Sequence, residues 1–224
     1  MGFFFSKVIR YLVLLYIVYS GAQYWLRWKS YGFSPKEFRT IAAKALGPSG
    51  DEVLARELAR KYGNAIVPDS KWASVRAGGL NLRIKLLHVS LTEYVAVISS
   101  SFPTTGRSGF HWSNSTCTVL SGALGRHEDL GGNMKEQFKA GDNFRQGQFD
   151  SFVYSFGEDT AIACYGRGVV PVSALWTTVG SITTGDPALV GRQLLSFGEV
   201  YFHSFVQSAS NLFDYYQKKA KSEL

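Results

Sequence analysis

Cysteine is scarce in this chain, which has two cysteines among its 224 residues, Cys117 and Cys164. Two cysteines cannot form a disulfide framework or a four-cysteine zinc site, and the four histidines lack the short spacings of metal ligands. The glycines Gly166 and Gly168 have no third glycine at the spacing of a dinucleotide-binding loop. We therefore expect neither a metal nor a cofactor.

Acidic residues are absent before Glu37, although five basic residues precede it. After residue 217 three lysines stand against one glutamate, and the 16 basic and 16 acidic residues in between cancel. The net charge of +7 therefore comes from the two ends, next to the most apolar segments. This distribution is typical of charge that flanks a membrane and not of a phosphate-binding surface, so a nucleic-acid partner is not expected.

One long apolar run, from Tyr11 to Leu26, has basic residues on both sides. If residues 8–28 are helical they span roughly 31 Å, close to the thickness of a hydrocarbon core. We predict an uncleaved single-pass anchor of open orientation in residues 1–30, and the small residues Ser20-Gly21-Ala22 leave a cleaved signal peptide as the alternative. The predicted anchor residues are Tyr11, Leu14, Leu15, Tyr24, Trp25 and Trp28.

Helix signals lie on both sides of the middle of the chain. Ser34-Pro35 predicts a helix over about 34–46, and a second amphipathic helix is expected over about 51–62, so residues 31–70 form a helical segment. Asp186-Pro187 opens a long helix in the segment 171–224. Its apolar residues are too many for one core-facing stripe, which favours a face resting on a bilayer over a purely internal helix.

Residues 71–170 carry short runs of alternating apolar and polar residues between glycine-rich turns. This pattern predicts many short strands, in a closed or two-sheet β-barrel with a packed or ligand-holding interior. Within it, we expect the stretch Cys164–Pro171 to form a tight turn, because Gly166 and Gly168 allow torsions that other residues resist.

Five short motifs occur in one order along the chain. They are Ala77-Gly78-Gly79, the stretch from Leu86 to Tyr94, Gly106-Arg107-Ser108-Gly109 with Trp112, Ser121-Gly122, and the stretch from Tyr165 to Pro171. Together they resemble the family of the sigma-one receptor and the fungal delta-eight to delta-seven sterol isomerases, over nearly the whole chain. The resemblance implies a cupin-like β-barrel with an occluded apolar pocket, one transmembrane helix, a membrane-associated pair of C-terminal helices and, in the receptor, a homotrimer. It also implies that sterols or amphipathic amines are the ligands.

The chain departs from this family at the pocket carboxylates. Moving a sterol double bond requires an acid that protonates the alkene and a base that removes a neighbouring proton, which two carboxyls in a dry pocket can provide. The positions that the resemblance assigns to these carboxyls hold Cys117 and Cys164, and a nearby acidic position holds Asn114. We therefore predict no catalytic residue, and a membrane-anchored protein that serves as a lipid- or sterol-binding module or as an accessory subunit of a larger complex.

An active sterol isomerase is the alternative, with Glu93 as the acid to examine. Strand alternation predicts that Glu93 points outward if Tyr94 points into the pocket, so a structural hydrogen bond is its expected role. The resemblance pairs Tyr94 with one of the missing carboxyls, and we expect water to replace that partner. The predicted pocket residues are Ile84, Leu86, Tyr94, Ser115, Cys117, Phe156 and Cys164.

The state of the two cysteines is left open between three possibilities. Unpaired, small buried thiols are the default expectation. A disulfide is the first alternative and requires an oxidising compartment. A cysteine nucleophile with His88 or His111 as its base is the second alternative, although nothing in the spacing favours it.

Two features of the sequence bear on location. The last four residues, Lys-Ser-Glu-Leu, resemble a retrieval signal of the endoplasmic reticulum, and the basic N-terminus without acids permits a mitochondrial address. We expect the membrane of the endoplasmic reticulum or the mitochondrial inner membrane. The expected partners are a membrane lipid or sterol and a homotrimer or larger membrane protein complex.

Overall fold

The computed structural model describes residues 2–128 and 135–222, which divide into two compact units, residues 1–32 and 33–224. The last two residues of the predicted retrieval signal lie outside the described residues.

The first unit is the helix α1, Gly2–Trp28. The predicted anchor residues lie on it and are exposed, from 53% for Trp25 to 73% for Trp28. No helix among the residues that the structure describes is both long enough and apolar enough to cross a membrane. Four tyrosines lower the mean hydropathy of the run from Tyr11 to Leu26, and Arg10 directly precedes it. The helix was thus predicted correctly, and its predicted role as a transmembrane anchor is not confirmed.

The second unit begins with the helices α2, Pro35–Ala42, and α3, Gly50–Tyr62, followed by a 3₁₀ turn, Gly63–Ala65. The predicted end of α2 at residue 46 is wrong. The chain tightens after Ala42, where the amide of Ala45 donates to the carbonyl of Ala42, and Gly47 then donates to the carbonyl of Leu120 at 2.9 Å. The long-range bond to Leu120 directs this segment away from the helix axis.

Across the described residues ten strands form two antiparallel sheets, and the predicted many-stranded segment is present. The strands are β1 Trp72–Ala77, β2 Leu80–Val89, β3 Glu93–Ser100, β4 Thr104–Arg107, β5 Ser113–Ser121, β6 Ala123–Glu128, β7 Lys135–Lys139, β8 Asn143–Gln146, β9 Phe152–Phe156 and β10 Thr160–Gly168. The strand orders are β1-β2-β3-β10-β5-β8 and β4-β9-β6-β7. Of the two predicted arrangements, the closed barrel is wrong, because the two sheets remain separate ladders among the described residues.

The central strand β10 continues through the stretch where we expected a tight turn. It pairs with β3 as far as Arg167 and with β5 as far as Gly168, and the next helix along the chain begins at Val170. Gly166 is part of this strand, and the position requires glycine because a Cβ there would come within 2.1 Å of Cε1 of Tyr94. The predicted turn is therefore wrong at Gly166, where the absence of a side chain makes room for the Tyr94 ring and the strand continues without turning.

The two faces of the six-stranded sheet bury different clusters, as strand alternation requires. The outer face packs against α2 and α3, with Phe38, Leu58, Val95 and Tyr165 among its buried residues. The inner face packs with residues of the four-stranded sheet. Its cluster contains Leu82, Val119, Phe144, Phe156, Ile162 and both cysteines.

Two helices close the chain, α4, Val170–Thr183, and α5, Pro187–Ser222. The predicted start of α5 is confirmed, since a side-chain oxygen of Asp186 accepts a hydrogen bond from the amide of Leu189 at 3.0 Å. One side of α5 is buried, including Leu189 and Val200. Large apolar side chains remain exposed at Leu175, Val179, Ile182, Leu194, Leu195, Phe202, Phe205, Val206 and Phe213. Whether a bilayer covers them stays a prediction.

Candidate functional site

A cavity of about 150 Å³ lies inside the second unit, between the inner face of the six-stranded sheet, β9 and the helix α4. Its wall is mostly apolar. The lining residues include Leu80, Leu82, Ile84, Leu86, Ile98, Phe144, Phe156, Ile162 and Trp176, with polar groups at Tyr94, Ser108, His111, Ser115, Gln146, Tyr154, Ser173 and Thr177. A mostly apolar wall with a few convergent polar groups is the usual form of a small-molecule site.

Six of the seven predicted pocket residues lie on this wall: Ile84, Leu86, Tyr94, Ser115, Cys117 and Phe156. The seventh, Cys164, lies behind it in the same apolar cluster and is 3% exposed. The structure thus brings the seven residues together. Their contact with a ligand stays a prediction.

The two cysteines form a disulfide between neighbouring strands. Cys117 of β5 and Cys164 of β10 are direct partners in the antiparallel register, with their Cα atoms 4.1 Å apart. The default expectation of unpaired thiols is wrong, because the register places the two side chains opposite each other on the inner face. A nucleophilic cysteine is excluded as well, since neither sulfur carries a thiol proton.

Tyr94 has a protein partner in place of the expected water. Its hydroxyl lies 2.7 Å from Oγ of Ser115, which the pairing of β3 and β5 with β10 brings to the same inner face. Burial raises the pKa of Tyr94, so the phenol stays protonated. Tyr94 and Ser115 together form a neutral polar point on the cavity wall.

A second polar group lies where the segment after β4 meets β8. The Gln146 amide donates to Oγ of Ser108 at 3.3 Å, and the Tyr154 hydroxyl donates to Oε1 of Gln146 at 3.3 Å. Nε2 of His111 donates to the carbonyl of Ser108 at 2.6 Å, and burial lowers the pKa of His111. Burial also raises the pKa of Tyr154 to about 12. All four side chains are therefore uncharged near neutral pH.

Sequence reasoning missed this second group. The motif Gly106-Arg107-Ser108-Gly109 indicated that the segment matters, and it does supply Ser108. However, Gln146 and His111 belong to no periodic pattern, so nothing local to them indicates that they face the cavity.

None of the described residues on the cavity wall is acidic. Glu93, the one acid considered for catalysis, lies on the outer face, where Oε1 accepts hydrogen bonds from the Tyr165 hydroxyl at 2.7 Å and from the Phe33 amide at 3.2 Å. Arg167 completes this cluster by donating to the Tyr165 hydroxyl and to the Phe33 carbonyl, both at 2.6 Å. The expected structural hydrogen bond of Glu93 is confirmed.

Metal ligation has no basis in the part of the chain that the structure covers. No three His, Cys, Asp or Glu side chains among the described residues come together to hold an ion.

Solved cupin structures resemble part of this fold. A predicted oxalate decarboxylase of Thermotoga maritima is 12% identical, covers 45% of this chain and 94% of its own, and has a TM-score of 0.38. An RmlC-like cupin of Shewanella frigidimarina is 14% identical, covers 45% of this chain and 85% of its own, and has a TM-score of 0.37. Both likenesses cover less than half of this chain.

Sequence relatives cover more of the chain. The sigma non-opioid intracellular receptor 1 of Xenopus tropicalis is 34% identical over 154 residues, 66% of this chain and 68% of the receptor. The same receptor of Danio rerio is 28% identical over 170 residues, 74% of this chain and 76% of the receptor. The C-8 sterol isomerase ERG2 of Gibberella zeae is 26% identical over 208 residues, 85% of this chain and 88% of the isomerase. The family model described as "ERG2 and Sigma1 receptor like protein" matches residues 9–204, and the chain therefore belongs to this family.

Proposed function

We propose that this protein is a non-catalytic member of its family that holds an uncharged, largely apolar lipid, such as a sterol, in the cavity. One observation carries the proposal. A disulfide joins Cys117 on the cavity wall to Cys164 behind it, at the two positions where the family resemblance leads us to expect carboxyls, and none of the described residues of the wall is acidic.

The proton chemistry of the wall supports this proposal. Protonating an alkene requires a strong acid close to it, and the disulfide has no proton to give. Burial raises the pKa of Tyr94 and Tyr154, which makes both phenols weaker acids than in water. Burial also lowers the pKa of His111, so its protonated form is rare at neutral pH. Among the described residues of the cavity wall, none is therefore suited to start the isomerisation.

An active sterol isomerase is the second candidate, because the alignment with the C-8 sterol isomerase ERG2 of Gibberella zeae covers 85% of the chain. Glu93 would have to supply the acid. Its Oε1 is already held by Tyr165 and Phe33, and the residue is absent from the cavity wall. These contacts favour the binding role.

The exposed apolar side chains of α4 and α5 support a second part of the proposal, that the protein works at a membrane surface or within a membrane protein complex. Leu195 is 74% exposed, and Phe202 and Phe213 are 68% and 69% exposed. Apolar side chains of this size are rarely left to water in such number. A homotrimer or a larger assembly, at the endoplasmic reticulum or the mitochondrial inner membrane, would cover them.

Complementation of an isomerase-deficient yeast tests the loss of catalysis. We expect no restored sterol profile from the wild-type chain. The matched variant carries Cys117→Asp and Cys164→Glu, which returns two carboxyls to the cavity without touching Glu93. A restored profile from the wild type would contradict the proposal, and loss of that activity in Glu93→Gln would then identify the acid.

Ligand charge tests the binding role. The full chain, purified in mild detergent, should bind 5α-cholestan-3β-ol at least about tenfold more tightly than the corresponding 3β-amine at pH 7, because the ammonium would be buried without a counter-charge. The variant with Cys117→Asp and Cys164→Ala should reduce this difference. Equal binding of the alcohol and the amine by the wild type would contradict an uncharged site.

A further inference from the structure

His111 is a cavity residue whose hydrogen bonds are incomplete among the described residues. Its ring lines the cavity, with the Trp176 ring edge-on at 5.4 Å between centroids. Nε2 must carry a proton, because it lies 2.6 Å from the Ser108 carbonyl, which can only accept. In the neutral ring Nδ1 is then an acceptor, and it takes no hydrogen bond from any residue that the structure describes.

The Ser108 and Gln146 side chains beside His111 already have their hydrogen bonds. Ser108 Oγ donates to the Gly109 carbonyl and accepts from Gln146 and from the Phe152 amide. The Gln146 amide also donates to the Asp150 carbonyl at 3.2 Å, and its oxygen accepts from Tyr154. At this end of the cavity, the described side chains therefore offer two open hydrogen-bonding positions, the acceptor Nδ1 of His111 and the indole N–H donor of Trp176.

We propose that Nδ1 of His111 accepts a hydrogen bond from the hydroxyl of the bound lipid, so that the site selects an alcohol over the ketone of the same skeleton. This inference rests on the proposed function and deepens it. A ketone oxygen cannot donate to a neutral imidazole, whereas a hydroxyl can. The rest of the skeleton contacts the apolar wall in either case, so the two lipids differ at this one point.

The expected preference is modest. A net hydrogen bond between neutral groups corresponds to a factor of about three to ten in affinity. Losing the acceptor should remove that factor and leave the apolar contacts unchanged.

Two substitutions test the roles of the two His111 nitrogens separately. His111→Gln keeps a nitrogen donor near the position of Nε2, and so keeps the bond to the Ser108 carbonyl, but leaves no acceptor at the position of Nδ1. His111→Asn places an amide oxygen near the position of Nδ1 and removes the donor. His203→Gln is the matched control, because His203 is exposed on α5.

The experiment measures binding of radiolabelled 5α-cholestan-3β-ol and 5α-cholestan-3-one to the full chain in mild detergent. We expect the wild type, His203→Gln and His111→Asn to favour the alcohol about three- to tenfold. In His111→Gln the two lipids should bind within about twofold of each other, with ketone affinity as in the wild type.

Two results would overturn the inference and leave the proposed function standing. One is an unchanged alcohol preference in His111→Gln, and the other is equal binding of both lipids by the wild type. If the wild type binds neither lipid, the proposed function fails and the inference fails with it.

Discussion

The two faces of the strand pair β3 and β10 differ in charge, although alternate residues of the same two strands form both faces. On the outer face, Glu93 is 6% exposed and accepts from Tyr165 and Phe33, with Arg167 close by. On the inner face, Tyr94 binds Ser115 and Cys164 binds Cys117. The fold thus has a buried carboxyl where several donors hold it, and none of the described residues of the cavity wall carries one. The charges of Glu93 and Arg167 therefore stabilise the outer face, whereas the described cavity wall is neutral.

Removing the disulfide tests the covalent link of the inner face. Because it closes a loop of 47 residues, Cys117→Ala with Cys164→Ala should lower the free energy of unfolding by about 2–4 kcal/mol in denaturant titrations. Dithiothreitol should lower the stability of the wild type and leave the double variant unchanged. Two reactive thiols in the denatured, unreduced wild type would show that the bond is absent.

Removing the outer carboxyl tests the other side of the comparison. Glu93→Ala leaves the buried Phe33 amide without its acceptor and the Tyr165 hydroxyl with only the Phe33 carbonyl, at 2.9 Å, so stability should fall by about 3 kcal/mol. The control is Tyr94→Phe, one residue further along, which loses only the bond to Ser115 and should cost about 1 kcal/mol. Equal losses would mean that the two faces do not differ.

Adding one methyl group tests the packing of the inner face. In Gly166→Ala the new Cβ would lie 2.1 Å from the Tyr94 ring, and the resulting shift should cost about 2 kcal/mol. Gly125→Ala is the matched control, because it also lies in a strand and its nearest contact is an ordinary 3.5 Å. A Gly166→Ala protein as stable as Gly125→Ala would show that Tyr94 does not occupy this space.

Acid should weaken the fold through buried neutral histidines. Burial lowers the pKa of His88 from its usual 6.5, so below about pH 6.5 the unfolded chain binds more protons than the folded one and stability falls with pH. His88→Gln should reduce this loss, by less than about 1.4 kcal/mol for each pH unit, in unfolding titrations at pH 7 and 5.5. His111 shifts in the same direction, so part of the dependence should remain. An unchanged slope in His88→Gln would contradict the assignment.

The features predicted correctly are those that depend only on residues close together in the sequence. The cap of α5 at Asp186 needs only the next three residues, and alternation along β3 was enough to place Glu93 and Tyr94 on opposite faces. Pairings between distant strands escaped prediction. The disulfide depends on the register between β5 and β10, and so does the meeting of Ser115 with Tyr94.

Gly166 shows why a local signal can mislead. Its neighbours include a second glycine and a proline, which is the usual composition of a turn. The reason for this glycine lies in the ring of Tyr94 on β3, more than seventy positions earlier in the chain. The same limit applies in part to His111, because its carbonyl partner Ser108 lies only three residues earlier, whereas the Trp176 ring beside it comes from α4.

The bond between Cys117 and Cys164 has a consequence for the order of events while the protein is made. Both residues are at most 5% exposed, and β10 is enclosed by β3 and β5. An oxidant cannot reach sulfur atoms inside a finished sheet, so the two electrons must leave while these strands are still coming together. Biogenesis therefore requires an oxidising folding environment that accepts electrons from thiols. A chain that folds where thiols stay reduced would assemble the same sheet without the disulfide.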